Sequence, residues 1–179
     1  GVYCVNAARH VFGEEPVEAT ATKHQAEGDP RFAEVEASIA ATLRFPSGGI
    51  AQIIASFGAA AGDGYRVTGS EAEVELDPGY RFETATTMRL RKDGAVEETK
   101  FPQLDQFGGQ VAYFSDCINS GTPPEADGEE GLADMRVLLA IEESANTGRP
   151  VAINSPARPR HPVPDMVRER PVTAKRLGL

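Results

Sequence analysis

From Glu36 to Gly58 the chain reads EASIAATLRFPSGGIAQIIASFG. In its first half Ala37, Ile39, Ala41, Leu43 and Phe45 alternate with Ser38, Ala40, Thr42 and Arg44, the two-residue period of a strand with one buried face. Pro46-Ser47-Gly48-Gly49 follows, a fixed φ and then two residues tolerant of positive φ, so the chain reverses there. Ile50 to Phe57 is mostly small or apolar, which predicts a second strand, buried on both faces or against a helix. A hairpin this apolar is not stable alone in water. It therefore predicts more strands beside it and a helix layer on one face.

The flanking segments supply both. Gly1 to Phe12 predicts a short helix, with Val2, Val5, Ala8 and Phe12 on one side, Tyr3, Asn6 and His10 on another, and Gly13 as its stop. Val17 to Gln25 alternates as a strand after Pro16, and Ala26 to Glu34 is a charged loop. Tyr65 to Gly69, Ala72 to Leu76, Thr86 to Arg91 and Ala95 to Lys100 are further strands, with a turn at Asp77-Pro78-Gly79 and a hairpin signal at Lys92-Asp93-Gly94. About seven sequential strands linked by hairpins predict a largely antiparallel sheet.

Two helices complete the pattern. The first spans Gln106 to Asn119, with Asp105 as N-cap, Gly121 beyond its end and Phe107, Val111, Phe114 and Ile118 as the expected buried stripe. The second follows Asp127, with Glu130 at capping-box spacing and Leu132, Met135, Leu138, Leu139 and Ile141 expected to face inward until Gly148 and Pro150. Val151 to Ile153 is a candidate last edge strand. The fold class is α+β, an open, mainly antiparallel sheet with helices on one face.

Composition narrows the partners. A chain of 179 residues buries a real core and is most simply one domain, with residues 1–153 as its body and 154–179 as a tail. A net charge of −9 argues against nucleic acid. No apolar run reaches the length of a membrane span and no signal-peptide pattern opens the chain, so a cytoplasmic protein is expected, with export of a longer parent left open. The tail concentrates basic residues, Arg158, Arg160, Arg168, Arg170, Lys175 and Arg176, among prolines that forbid a continuous helix. Two readings of it stand: a disordered or loosely attached end, or an extended arm whose basic side chains meet the acidic body of a neighbouring subunit. Cys4 and Cys117 sit in apolar helical patterns and are read as free thiols. The chain opens on Gly1 without Met, straight into a helical pattern, and is expected to be a piece of a longer protein.

The chemical signals in the residues themselves are sparse. His10, His24 and His161 fall in a helix, a strand and the tail without zinc-ligand spacing, so no metal site is expected. Gly62-Asp63-Gly64 begins like a dinucleotide fingerprint, but Val67 and a strand follow, so no helix N-terminus is there to bind phosphate. No serine sits in a nucleophile elbow. What remains is the polar face of the first helix. A phenol ionises near pH ~10 in water and serves as a general acid or base only with a cation or coupled carboxylate beside it. On composition alone Tyr3 is an ordinary surface or pocket tyrosine.

Four stretches, in order, carry a resemblance: GVYCVNAARHVFGEEP, EVEASIAATLRFPSGGIAQIIASF, VTGSEAEVELDPGY, and DQFGGQVAYFSDCINSG with ADGEEGLADMRVLLAIEESANTGRPV. Together they are similar to the C-terminal half of the Gfo/Idh/MocA family of oxidoreductases (glucose–fructose oxidoreductase, inositol dehydrogenase, rhizopine catabolism). The likeness covers about residues 1 to 153 and leaves the tail outside. It implies two domains in the parent, a Rossmann domain for NAD or NADP and an α+β domain whose open sheet pairs in dimers or tetramers. The family motif Asp-x-Gly-x-Tyr/His enters at Gly1-Val2-Tyr3, its Asp falling two residues upstream of Gly1. The family's catalytic lysine, in a Glu-Lys-Pro loop of the Rossmann domain, is also outside this chain.

On that resemblance Tyr3 is the catalytic candidate and Asn6, one turn on, the substrate-binding candidate, whereas His10 has no secure counterpart. The run Tyr-Cys-Val-Asn favours the glucose–fructose oxidoreductase branch. The implied reaction moves a hydride between a sugar or polyol carbon and NAD(P), with Tyr3 taking or relaying the hydroxyl proton beside the family lysine. The resemblance implies that NAD or NADP is bound mainly by the Rossmann domain, no cofactor-binding residue is assigned in this sequence, and this chain alone is expected to be inactive. Two other readings stand beside it: a non-catalytic sugar or sugar-phosphate binder of a degenerate relative, and a domain that serves chiefly for oligomerisation.

Overall fold

The first helix, α1 (Val2–Phe12), ends where Gly13 turns left-handed at φ 62° and donates its N–H to the Arg9 carbonyl. After it come β1 (Glu18–His24), a 3-10 turn over Pro30–Phe32, and the central hairpin of β2 (Ser38–Arg44) and β3 (Ile50–Ser56). The structure is a computed structural model and describes every residue except 61, 157, 159, 160 and 173–179. Arg160, Lys175 and Arg176 of the basic tail therefore lie outside the described residues.

Beyond β3 follow β4 (Tyr65–Thr68), β5 (Glu73–Asp77), β6 (Thr86–Lys92), β7 (Ala95–Phe101), α2 (Gln106–Ser120), α3 (Gly128–Thr147) and β8 (Val151–Ala152). The strands are antiparallel, as expected, but they form two four-stranded sheets in place of one. Their orders are β3-β2-β1-β8 and β4-β5-β6-β7. The chain divides accordingly into two compact units. One takes Gly1–Ala59 with Pro123–Pro162, the other Ala60–Thr122 with the described residues from Val163 onward.

In the first unit, α1 and α3 lie on one face of the β3-β2-β1-β8 sheet. Its core joins Val5, Ala19, Ala41, Leu43, Phe45, Ile53, Val137 and Ile141, so the inward set predicted for β2 is the inward set observed. The reversal after Phe45 closes with Phe45 N–H donating to the Gly49 carbonyl at 2.9 Å. Phe12 stacks on Phe45 with ring centroids 4.2 Å apart. A Cβ on Gly49 would meet the Phe12 ring at 2.2 Å, so only glycine admits that ring.

β3 departs from its expectation. Ala51 and Ile53 face the core, but Ile50 and Ile54 point outward and Ile54 is 77% exposed. The outer face of this sheet is therefore uncovered at β3. α3 also differs in phase. Its buried stripe is Ala133, Val137, Ala140, Ile141 and Ser144, while Leu132, Met135 and Leu139 are exposed. Small residues at helical spacing bring the helix close to the sheet, and the bulkier leucines fall to the flank. Ser144 is fully buried and accepts the Ala21 N–H at 2.9 Å. β8 pairs only with Glu18 and Ala19, so the hydroxyl takes a strand N–H that lies past the end of β8.

In the second unit the β6–β7 turn has Asp93 at φ 51° and Gly94 at φ 79°, the mirror-image turn that suits the twist of a two-residue hairpin. Asp105 caps α2 by accepting the Gly108 N–H at 2.9 Å. The predicted stripe of α2 is not buried. Phe107, Val111, Phe114 and Ile118 are each more than half exposed, and Cys117 is the helix's one buried residue. Periodicity shows that a helix face is apolar, not that the same chain covers it. From Val163 onward the described tail lies against this unit's own residues: Arg168 pairs with Asp116 at 2.7 Å, and the Arg170 carbonyl accepts the Asp105 N–H at 2.8 Å.

Candidate functional site

Tyr3, Asn6 and His10 all lie on the exposed side of α1, as their spacing predicts. Tyr3 stands in the first turn and is 67% exposed. Asn6, one turn on, is tied down: its Nδ2 donates to Glu130 Oε1 at 3.2 Å and to Asp134 Oδ2 at 3.3 Å on α3. The helix that carries both candidates is thus anchored laterally to α3 through polar side chains.

The anchor itself is Arg9, which the sequence reading passed over. Only 4% of it is exposed. Its Nε and Nη2 form a fork on Glu15 at 2.7 and 2.8 Å, and Nη1 donates to Glu130 Oε1 at 2.7 Å and Asp134 Oδ1 at 2.6 Å. Nη2 also reaches Glu130 Oε2 at 3.1 Å. A planar guanidinium suits this paired geometry, and a lysine would not reproduce it. Burial works against the Arg9 charge, but the hydrogen bonds to Glu15, Glu130 and Asp134 outweigh it and hold its pKa above the ordinary arginine value. The signal in the sequence is an arginine bordering the Val5–Phe12 stripe, with Glu14-Glu15 just past the helix stop at Gly13 and carboxylates at i and i+4 on a later helix.

The capping box of α3 is half formed. Asp127 Oδ1 accepts the Glu130 N–H at 2.9 Å as expected, but the Glu130 side chain turns to Arg9 and Asn6. Arg158 joins the same cluster, with Nη1 3.3 Å from Asp127 Oδ1, Nη2 donating to the Glu125 carbonyl at 3.2 Å and Nε 2.6 Å from Glu130 Oε2. Burial, with the Glu130 charge nearby, pushes the buried Glu125 carboxyl above the ordinary carboxylate value.

A cavity of about 440 Å³ opens beside the start of α1, lined by Val2 and Val5, by Ser38 and Ser56 of the hairpin, and by Lys23 and Glu142 among others. Tyr3 and Asn6 do not line it. Gly62-Asp63-Gly64 leads into β4, so it does not form the glycine-rich turn before a helix N-terminus that binds phosphate. No group of three or more His, Cys, Asp or Glu among the described residues is arranged to hold a metal ion. No described helix is long and apolar enough to cross a membrane.

Comparison with known proteins places this geometry. Residues 1–153 match the family described as "Oxidoreductase family, C-terminal alpha/beta domain". The chain is 31% identical over 157 residues to D-xylose 1-dehydrogenase (NADP(+)) 2 of Haloferax volcanii, covering 86% of this chain and 46% of that protein. Among solved structures it is similar to an aldose-aldose oxidoreductase from Caulobacter crescentus complexed with glycerol, at 37% identity and TM-score 0.79, over 86% of this chain and 46% of that one. The myo-inositol 2-dehydrogenase of Lactobacillus plantarum shares the fold, at TM-score 0.64 and 23% identity, over 86% of this chain and 47% of that one. The chain thus spans less than half the length of these relatives. With its residues 1–153 matched throughout, the chain belongs to the Gfo/Idh/MocA oxidoreductase family, as its C-terminal alpha/beta domain.

Proposed function

We propose that this chain is the substrate-binding and oligomerisation part of an NAD(P)-dependent oxidoreductase acting on a CH–OH group of a sugar or polyol. Residues 1–153 form that domain and residues 154–179 are an appended tail. The observation that carries the reading is the first turns of α1. A largely exposed tyrosine and an asparagine share one face of a helix that Arg9 holds rigidly against α3. The similarity to sugar dehydrogenases and to a glycerol-bound aldose-aldose oxidoreductase supports the substrate class.

In this reading the Tyr3 hydroxyl takes or relays the proton of the substrate hydroxyl, and Asn6 offers its side-chain carbonyl to a neighbouring hydroxyl. NAD or NADP accepts the hydride when bound, and its binding is assigned mainly to the Rossmann domain that the family resemblance implies outside this chain. The glucose–fructose oxidoreductase branch is the proposed subgroup. Turnover of the longer protein on aldoses and polyols, with and without the Tyr3 hydroxyl, tests the reading. Sugar binding with no turnover would instead favour a non-catalytic relative.

The outer face of the β3-β2-β1-β8 sheet supports a second role. Ile50 and Ile54 stand exposed beside Gln52 on β3. A second copy packing sheet on sheet, at the usual spacing of ~10 Å, would cover them. A homodimer, or a tetramer built from it, is therefore expected in solution, with more than ~1,000 Å² buried. Ile54→Lys is expected to shift it to monomer in sedimentation while the chain stays folded, with the melt losing its dependence on protein concentration. A wild-type chain that sediments as a monomer at micromolar concentration refutes the interface.

A further inference from the structure

Glu130 gathers donors from two other parts of the first unit. Its Oε1 accepts from Asn6 Nδ2 and Arg9 Nη1, and its Oε2 accepts from Arg9 Nη2 and lies 2.6 Å from Arg158 Nε. An ionised carboxylate offers about four lone-pair directions, and here three hydrogen bonds and one further cation converge on it. The Arg158 contact is a close ion pair whose N–H is not aimed at the oxygen. Arg158 secures its own place by reaching the α3 N-cap, Asp127, and the Glu125 carbonyl. Its side chain is 8% exposed.

Three parts of the chain therefore meet at one side chain: α1 through Asn6 and Arg9, α3 through Glu130, and the tail through Arg158. Without Arg158, the Glu130 and Asp127 carboxylates at the start of α3 would lose a partly buried countercharge. Mutual repulsion among Asp127, Glu130 and Asp134 would then loosen the grip of Glu130 on Arg9 and Asn6. The helix dipole favours acidic residues at this end of α3, but it does not supply the direction of a guanidinium. Arg158 lies beyond residue 153, where the family match ends, so this contact is an addition to the matched domain.

We infer that Arg158 is a positioning residue: through Glu130 it fixes α1, and with it Tyr3 and Asn6, against α3, which makes the tail part of the site's scaffold. The significance of holding Tyr3 and Asn6 rests on the function proposed above; the clamp itself does not.

Hydrogen–deuterium exchange on the 179-residue chain tests it. Arg158→Gln is expected to speed exchange of the α1 amides by about tenfold or more while the β2–β3 hairpin stays protected, since local opening is then cheaper than global unfolding. Arg158→Lys, which keeps the charge but not the fork, is expected to restore part of the protection. In a Glu130→Gln background the Arg158→Gln change is expected to add nothing. Unchanged α1 exchange overturns the inference, as does a uniform rise across α1 and the hairpin, or full additivity with Glu130→Gln. Should Arg158→Gln fail to fold, Arg158→Lys decides: α1 exchange between that of wild type and that of Glu130→Gln supports the clamp, and exchange equal to wild type overturns a role for the guanidinium. In the longer protein a lower kcat with a smaller rise in KM is expected, from the loosened Tyr3 and Asn6 respectively. Faster α1 exchange with unchanged kcat would count against the role of Tyr3 and leave the clamp intact.

Discussion

Tyr3→Phe in the longer oxidoreductase is expected to lower kcat by about 10²–10⁴-fold, the usual cost of losing a general acid or base, with much less change in KM. The substitution removes one oxygen and keeps the ring. Tyr3 is 67% exposed in the first turn of α1, so little packing depends on it, and the melt of the variant is expected to match wild type. A loss of turnover at unchanged stability would thus report chemistry. Turnover equal to wild type would reduce Tyr3 to a surface tyrosine and move the acid–base role elsewhere.

Arg9→Met is expected to have the largest effect on stability. It leaves Glu15 buried without its guanidinium fork and removes the link from α1 to Glu130 and Asp134. Breaking a buried ion pair on one side costs about 3–5 kcal/mol, a large share of the ~5–15 kcal/mol that holds a domain folded. Denaturant unfolding should show the midpoint falling steeply. Arg9→Lys should fall between the two, since it keeps the charge and loses the paired geometry. Replacing Arg9 and Glu15 together by apolar residues should recover part of the loss, because no charge is then left buried alone. A midpoint within error of wild type for Arg9→Met would show that the network adds nothing.

Local chemistry made much of the fold legible. The β2 alternation, the Asp93-Gly94 turn, the Asp105 and Asp127 caps and the glycines after each helix are decided within a few residues, and each stands where the sequence puts it. Pairing across long loops is not decided locally, so the split into two sheets could not be read from hairpin signals. The helix faces show a second limit. Leucine at Leu132 and Leu139 outweighs alanine on any hydrophobic scale, yet Ala133 and Ala140 are the buried positions, because close helix–sheet approach selects small side chains. The α2 stripe was read from its period, and its exposure depends on what lies against it.

The candidate site was legible only through resemblance. Tyr3 and Asn6 form an unremarkable pair on a polar helix face until Gly1-Val2-Tyr3 is set beside a family motif. Arg9 was hidden for a different reason. Its partners Glu130 and Asp134 are 121 and 125 residues away in the chain, and each looks like a solvated charge until the fold brings them together.

The function proposed above divides the labour, giving the sugar or polyol to this chain and the nicotinamide mainly to residues outside it. Calorimetric titration of the 179-residue chain with NAD and with NADP tests it most directly. A cooperatively folding chain that takes up neither nucleotide is the predicted result, and saturable binding of either one by this chain alone would contradict it.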